Sequence, residues 1–297
     1  MDWKPKHQRR TGRSALAAIL LCAAVAPAAA AEADIVARGG YLASAAGCAD
    51  CHTDKEHGGA PYAGGRALAT PFGTFYAPNI TPDPETGIGR WSDAQFLGAL
   101  RNGVDDNGDN LFPVFPYPSY TGITDADIQA IKAYLFAQPA VKQANRPHDV
   151  SFPFSWRFLQ NGWKLLFFTP GPFKPAPDRD AVHNRGAYLV TALAHCSECH
   201  TPRNLLGATE SSRFLAGNPN GPDGKKVPNI TPDKKDGIGN WSEEDIVKLL
   251  ATGQTPDFDQ IGGAMAEVVK NTAKLSAEDR HAIAAFLQSL PALPSSK

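Results

Sequence analysis

The cysteines of this chain fall into two copies of one short pattern, in which two cysteines separated by two residues are followed at once by a histidine. The chain has five cysteines, and the two copies use four of them: Cys48, Cys51 and His52, then Cys196, Cys199 and His200. This spacing is typical of covalent haem attachment, in which the thiols add to the two haem vinyl groups as thioethers. The adjacent histidine is then placed under the iron as its proximal ligand. We therefore expect two covalently bound haems c.

Other uses of paired cysteines fit these patterns less well. The four cysteines of the two patterns could instead form disulfides, which an even number of cysteines in an exported chain commonly indicates. However, a disulfide framework does not require a histidine after each pair, and neither does a thioredoxin-like redox pair. A zinc site needs a different set of ligands. The double pattern therefore favours haem, and no residue is assigned a catalytic role.

The first 31 residues have the composition of a secretory signal. A basic segment is followed by an apolar one, Ala15 to Val25, and then by small residues up to Ala31. This pattern predicts a signal peptide over residues 1–31, cleaved near Ala30 or Ala31. The alternative is an uncleaved membrane anchor, for which the apolar stretch is short. Cleavage removes Cys22 and indicates a periplasmic protein, with membrane association at most peripheral or through a partner.

The charge balance excludes one large class of function. The 29 Lys and Arg residues nearly match the 30 Asp and Glu residues, so the formal net charge is −1. A nucleic-acid-binding protein needs a basic surface. We therefore expect no nucleic-acid partner.

The two halves of the chain repeat one another at an interval of about 150 residues, which indicates duplicated domains and not a solenoid. The matched stretches are 38–42 with 185–189, 78–83 with 228–233, and 87–92 with 237–242. The predicted organisation is a signal over 1–31, a first domain over 32–139, a linker over 140–184 and a second domain over 185–297.

Helix signals dominate both halves. A first helix is expected from Ala33 to Ala46. Serines followed three residues later by Gln95 or Asp245 indicate helix N-termini, and glycines follow the predicted helices 93–101 and 243–251. The last helices are predicted over 125–136 and 277–289. Because the alternating pattern of β-strands is nearly absent, the predicted fold class is all-α.

These features together resemble tandem class I cytochrome c domains. The resemblance covers about residues 35–292 and rests on the two cysteine–histidine patterns and on the paired Pro-Asn-Ile-Thr-Pro-Asp stretches. The whole chain is similar to the dihaem cytochromes c that serve as subunits of periplasmic alcohol, sugar and aldehyde dehydrogenases. The resemblance implies a periplasmic or membrane-associated dehydrogenase as electron donor. It implies a quinone, another cytochrome or a terminal oxidase as acceptor.

The second haem has an obvious candidate for its other axial ligand. Met265 is the only methionine besides Met1, and it lies in the loop before the last helix, where cytochrome c domains present a methionine. Histidine–methionine ligation raises the reduction potential of haem iron, which suits electron transfer. We expect Met265 to ligate the second haem.

The first domain has no methionine, and Phe115 stands at the position that corresponds to Met265. Three interpretations remain open. Another histidine, His57 or His148, could ligate the iron. The iron could be five-coordinate, with Phe115 packed over its distal face. A weak ligand such as Tyr117, Tyr120 or a lysine could also fill the position.

Two further features lack a unique interpretation. The repeated residues Asn79 and Asn229, with Trp91 and Trp241, could hydrogen-bond haem propionates or brace a loop at the haem edge, or could be ordinary turn and core residues. The linker is rich in proline and aromatic residues. We expect these aromatic residues to pack between the domains, although an exposed surface for a dehydrogenase or membrane is the alternative.

Two classes of function follow. The first is electron transfer between a dehydrogenase and an acceptor, without turnover of a substrate by this chain alone. The second is a dihaem enzyme or small-ligand binder that uses the first haem, which lacks a methionine ligand. Carbon monoxide binding to the reduced protein distinguishes them.

Overall fold

The structure is a computed structural model. It describes the backbone of residues 1–2 and 16–296, and the side chains of residues 1–2, 31–222 and 224–296. Within the predicted signal peptide, the backbone of residues 3–15 and the side chains of residues 3–30 lie outside the described residues. The first described helix is continuous from Leu16 to Ala45 and so begins before the expected Ala33.

Each half of the chain contains the same series of helices. In the first half these are α1 (Leu16–Ala45), α2 (Cys48–Cys51), α3 (Asp93–Asn102), α4 (Tyr117–Tyr120) and α5 (Asp125–Phe136). After α6 (Leu159–Phe167) the second half has α7 (Ala181–Tyr188), α8 (Ser197–His200), α9 (Glu243–Thr252), α10 (Ala264–Thr272) and α11 (Ala277–Gln288). A π-helical turn, Leu189–Leu193, continues α7. Within the described residues, no helix is both long and apolar enough to cross a membrane.

The predicted starts of α3 and α9 are confirmed. Ser92 and Gln95 form a capping box at the start of α3, and Ser242 and Asp245 form one at the start of α9. In each box the serine hydroxyl accepts a hydrogen bond from the third helical N–H, while the side chain of that third residue accepts one from the serine N–H. Reciprocal capping satisfies backbone donors that a helix leaves unpaired.

The first and last helices of each half cross at very short distance because a glycine lies at the crossing. A Cβ atom on Gly39 would lie 1.9 Å from the carbonyl oxygen of Ala130 in α5, and one on Gly186 would lie 1.9 Å from that of Ala282 in α11. Any larger side chain would push these helices apart. The repeated glycine of stretches 38–42 and 185–189 is thus a packing requirement.

The fold is mostly helical but not strictly all-α, which corrects the predicted fold class. A small antiparallel sheet consists of β1 (Ala67–Thr70), β2 (Gly73–Tyr76) and β3 (Asp149–Val150), in that order. β3 comes from the linker and pairs with a strand of the first half that is distant in sequence. Strands this short carry too few residues for an alternating pattern to be recognised.

The linker meets its expected packing only in part. Many of its aromatic and aliphatic side chains are exposed, with Phe158 at 77% and Leu165 at 86% exposure. Other rings pack on the domains: Trp163 and Phe168 contact Tyr117 of the first half. Phe173 contacts Tyr188 of the second half.

Polar contacts add to this packing. Lys164 Nζ donates to the carbonyl oxygens of Asn102 and Gly103 at the end of α3, at 2.8 and 2.7 Å. The Trp163 indole N–H donates to the Leu206 carbonyl oxygen of the second half at 2.9 Å.

A reciprocal pair of hydrogen bonds joins the two halves. The Tyr41 hydroxyl of the first half donates to Asp279 of α11 at 2.6 Å, and the Tyr188 hydroxyl of the second half donates to Asp127 of α5 at 2.6 Å. Equivalent residues therefore make equivalent contacts in both directions, as in an isologous dimer interface.

An arginine from the same repeated stretch completes each contact. Arg38 pairs with Asp127, at 2.5 Å, and Arg185 pairs with Asp279, at 2.6 Å. Each aspartate thus receives an arginine from its own half and a tyrosine from the other half. Burial of a carboxylate is tolerated when hydrogen bonds and an opposite charge satisfy it in this way.

Candidate functional site

Each cysteine pair lies on a single helical turn. Cys48 and Cys51 begin and end α2, while Cys196 precedes α8 and Cys199 lies within it. Residues three apart on a helical turn lie on one side of it, so the two thiols of each pair can approach one ligand together. None of these four cysteines forms a disulfide.

Both histidines are oriented by the same backbone contact. His52 Nδ1 lies 2.8 Å from the carbonyl oxygen of Pro78, and His200 Nδ1 lies 2.8 Å from that of Pro228. Because a carbonyl oxygen only accepts, each Nδ1 must carry the proton. The Nε2 lone pair is therefore left free for a metal, and a hydrogen bond of this kind is the usual support for a ligating histidine.

Burial keeps both imidazoles neutral. Desolvation lowers the pKa of His52 and of His200, more than the hydrogen bonds to the proline carbonyls raise it. Neutral imidazole is the form that binds iron. The protonation state and the orientation of the two side chains therefore agree.

The thiols are held in their neutral form as well. Burial, together with the neighbouring cysteine of each pair, raises the pKa of Cys48 and of Cys196 to about 12. A reactive redox pair needs a lowered thiol pKa, which is the opposite direction. In addition, no three His, Cys, Asp or Glu side chains of the described residues cluster as a metal site requires. The donor set therefore fits covalently attached haem better than zinc or a redox disulfide.

The loops that supply the two proline carbonyls are braced by asparagine side chains. Asn79 Nδ2 donates to the Val141 carbonyl oxygen and Asn229 Nδ2 donates to the Leu293 carbonyl oxygen, both at 2.7 Å. The acceptors lie in the segments that follow α5 and α11. Of the two interpretations of these asparagines, the structure favours bracing of the loop, since the amide donors already have backbone partners. The repeated tryptophans are half-buried and pack against the core: Trp91 and Trp241.

Met265 precedes the last helix, as expected, but it lies on a short helix and not in a loop. It is in the first turn of α10, directly after Gly263 and Ala264, and Gly263 has a φ of 62°, in the left-handed region. Its side chain is half-buried and packs against the core. The corresponding residue of the first half, Phe115, is also half-buried, and its ring centroid lies 5.5 Å from that of Tyr120.

The two histidines considered for the first haem are both engaged elsewhere. His57 is exposed and hydrogen-bonds to Asp54 at 2.9 Å. His148 packs against Phe75, and its Nδ1 accepts the backbone N–H of Tyr76 at 3.2 Å. That hydrogen bond places the His148 proton on Nε2, which then has no lone pair for iron.

Of the weaker candidates, Tyr120 and the lysines have other partners, whereas the buried Tyr117 hydroxyl has no hydrogen-bond partner among the described residues. The Tyr120 hydroxyl donates to the Ala46 carbonyl oxygen at 2.8 Å. Burial raises the pKa of Tyr117, which disfavours the phenolate that iron prefers. Both lysines of the first domain form ion pairs: Lys55 with Asp50 and Glu267, and Lys132 with Asp93. Of the three interpretations, the geometry favours Phe115 packed on the distal side.

The sequence analysis did not identify the carbonyl oxygens of Pro78 and Pro228 as partners of His52 and His200. It also did not identify a contact between His195 of the second half and the Ala46 carbonyl oxygen of the first half. The repeated Pro-Asn-Ile-Thr-Pro-Asp stretch was a signal for the carbonyls, since its recurrence after each attachment pattern indicates a shared task. His195 had no such signal, because the equivalent residue of the first half is Gly47.

A protein-family comparison matches the chain twice. The family model for cytochrome c matches residues 36–137 and 184–291. These ranges each contain one attachment turn with its histidine and one braced loop. The two halves are therefore both cytochrome c domains.

Curated relatives agree with this assignment. The chain is 46% identical over 260 residues to a protein of Cereibacter sphaeroides described as "Diheme cytochrome c-type", covering 86% of each chain. It is 42% identical over 272 residues to the gluconate 2-dehydrogenase cytochrome c subunit of Pantoea cypripedii, covering 89% of this chain and 61% of that one. It is 40% identical over 260 residues to the fructose dehydrogenase cytochrome subunit of Gluconobacter japonicus, covering 86% of this chain and 53% of that one. The chain thus spans little more than half the length of these two dehydrogenase subunits.

The attachment turns, the oriented histidines and these relatives agree with one another. The chain belongs to the cytochrome c family and carries two covalently bound haems c.

Proposed function

We propose that this protein is an exported electron-transfer protein that receives electrons from a partner dehydrogenase and passes them to a quinone, another cytochrome or a terminal oxidase. The observation that carries the proposal is the pair of equivalent histidine–carbonyl units, one in each half of a single chain. Relatives described as cytochrome subunits of gluconate, alcohol and fructose dehydrogenases support a dehydrogenase as the donor.

Different residues of each domain would attach the haem and ligate its iron. The four cysteines of the attachment turns would hold the haems covalently, and His52 and His200 would hold the irons through Nε2. Met265 would hold the iron of the second domain. The bound haem would supply reversible one-electron chemistry. The carbonyl oxygens of Pro78 and Pro228 keep both histidines in the tautomer that leaves Nε2 free.

The first domain supports a second candidate function. Phe115 cannot ligate iron, and His57, His148, Tyr120 and the lysines of this domain have other partners. A five-coordinate first haem would bind a small ligand such as carbon monoxide. A dihaem enzyme or small-ligand binder is therefore the alternative.

The domain limits and the cellular location belong to the same proposal. We place the cytochrome c domains at 32–139 and 185–297, joined by the linker 140–184, with cleavage near Ala30 or Ala31 and release to the periplasm. N-terminal sequencing of the protein from a periplasmic fraction tests this. A mature chain that begins at Glu32 or Ala31 supports it, and an intact N-terminus in the membrane fraction contradicts it.

Spectroscopy of the purified holoprotein tests the main proposal. Mass spectrometry should find two haems added to the polypeptide. A potentiometric titration should show two one-electron steps, and the reduced protein should be reoxidised by a soluble quinone analogue. Unchanged spectra of both reduced haems under carbon monoxide would support electron transfer alone, and carbon monoxide binding at the first haem would support the small-ligand alternative. Peroxide turnover by the isolated protein, or failure of the reduced haems to pass electrons to any added acceptor, would favour the alternative.

A further inference from the structure

The residue before the second attachment turn is a histidine, whereas the residue before the first is a glycine. Gly47 and His195 both have positive φ, 65° and 42°. Such a conformation is natural for glycine but strained for a residue with a side chain, and strain of this kind clusters at functional sites. The second domain therefore has a histidine side chain at a position where the first domain has a glycine.

The imidazole of His195 reaches the other domain. Its Nε2 lies 3.2 Å from the carbonyl oxygen of Ala46. A carbonyl oxygen only accepts, so Nε2 carries a proton and donates it. His195 is bonded to Cys196, and Ala46 lies two residues before Cys48. One hydrogen bond thus completes an otherwise covalent path between the attachment cysteines of the two haems.

Tyr120 fixes the imidazole in place. Its ring packs edge-on against that of His195, with 5.3 Å between ring centroids. Its hydroxyl donates to the same Ala46 oxygen at 2.8 Å. Tyr120 and Ala46 are both buried. The hydrogen bond from His195 is therefore held in a packed, partly buried environment, which strengthens and orders such bonds.

Hydrogen bonds between the two domains also hold the attachment turns in place. Asn271 of the second domain donates to Asp50, which lies between the cysteines of the first turn, at 2.5 Å. Ser119 of the first domain donates to Glu198, which lies between the cysteines of the second turn, at 2.8 Å. Each turn is thus held by a side chain from the opposite domain.

We propose that His195 is a positioning residue that couples the two haems, so that electrons pass between them through its hydrogen bond to Ala46. The proposal rests on the relay function proposed above. In each transfer one electron leaves a ferrous iron, which becomes ferric, and reduces the ferric iron of the other haem. No proton is gained or lost and no bond breaks, because Nε2 keeps its proton throughout.

The test is the rate of electron exchange between the haems in the holoprotein. A water-soluble ruthenium photosensitiser injects one electron by a laser flash, and absorbance follows its equilibration between the haems. We expect His195→Gly to slow this exchange severalfold, with both reduction potentials unchanged. The variant should fold, since Gly47 occupies the equivalent position. His195→Asn is the second variant: asparagine tolerates positive φ but is too short to reach Ala46, so it should slow the exchange as well.

Two controls separate coupling from simple loosening of the interface. Tyr41→Phe removes an interdomain hydrogen bond away from the turns and should leave the exchange rate unchanged. In the reduced wild type under carbon monoxide, which makes a five-coordinate ferrous haem low-spin and diamagnetic, NMR should detect an exchange-protected Nε2–H of His195, a signal that does not depend on electron transfer.

The outcomes are distinct. Exchange at the wild-type rate in both His195 variants, or a wild type without the protected Nε2–H, would overturn the role of His195 and leave the relay function intact. A wild type whose two haems never exchange the injected electron would instead overturn the relay function.

Discussion

At the scale of single residues, the chemistry depends on which histidine nitrogen is protonated. The carbonyl oxygens of Pro78 and Pro228 fix the proton on Nδ1 of His52 and His200. The Tyr76 N–H fixes it on Nε2 of His148. The same side chain is thereby suited to bind iron at two positions and unsuited at a third.

The role of Met265 yields the first prediction. Met265→Leu keeps the volume of the side chain, so its packing cost should stay below about 1.5 kcal/mol. Loss of the thioether should lower the reduction potential of one haem and leave the other unchanged, because methionine ligation raises the potential. A potentiometric titration measures both. Ile261→Leu, four residues before Met265, is the control and should change neither potential. Two unchanged potentials in Met265→Leu would show that Met265 is not a ligand.

The second prediction concerns the corresponding position of the first domain. Phe115→Met places a thioether where Met265 stands in the second domain. The potential of the first haem should rise, and the carbon monoxide binding that a five-coordinate first haem gives the reduced protein should be lost. Phe112, in the same loop, packs against Phe75 in the wild type, so Phe112→Met should preserve carbon monoxide binding. Persistent binding in Phe115→Met would argue against Phe115 at the distal face.

At the scale of structural elements, each loop that carries a proline carbonyl is anchored by the segment after the last helix of its domain. Asn79 and Thr81 contact the Val141 carbonyl oxygen, and Asn229 contacts that of Leu293. The asparagines repeat in the sequence, and so do the segments that receive them, since Pro139-Ala140-Val141 matches Pro291-Ala292-Leu293. A backbone carbonyl accepts a hydrogen bond whatever side chain it belongs to, so the repeat by itself does not show which asparagine meets which carbonyl oxygen.

The third prediction tests this anchor. Asn229 is 3% exposed, and Asn229→Asp would place a carboxylate against the Leu293 carbonyl oxygen. Loss of the donor and burial of an acceptor without a partner should cost about 1–3 kcal/mol of unfolding free energy. Guanidinium unfolding of the holoprotein measures it. Asn220→Asp, at an exposed position, is the control and should cost little. Equal stabilities of the two variants would contradict the anchoring role.

At the scale of the whole molecule, the duplicated domains face each other through equivalent residues. Partial burial alone would raise the pKa of Asp279, but hydrogen bonds from Arg185 and Tyr41 outweigh it and lower the pKa. A carboxylate with a lowered pKa stabilises the fold above its unfolded pKa, about 3.9 for aspartate. That contribution is lost as the pH falls through the lower folded pKa.

The fourth prediction follows from the lowered pKa of Asp279. Asp279→Asn should destabilise the protein by about 2–3 kcal/mol near pH 7, since hydrogen bonds to charged groups are worth roughly that much. The difference from wild type should shrink as the pH falls below about 4. Thermal unfolding of both proteins between about pH 7 and pH 3 measures it. Asp257→Asn, at an exposed position, should show no such dependence. A difference that stays constant over this range would rule out the carboxylate charge as its source.

The sequence by itself determined the chemistry that is local in the chain. Cysteine–histidine spacing, helix caps and the repeat predicted the haems, the helix starts and the two domains, because each depends on residues within a few positions of one another. It did not predict the β2–β3 pairing, the exposed linker or the contact of His195 with Ala46. These join residues far apart in sequence, 149 positions in the last case. Only the tertiary structure brings them together, since the packing of one domain on the other decides which backbone oxygen a side chain can reach.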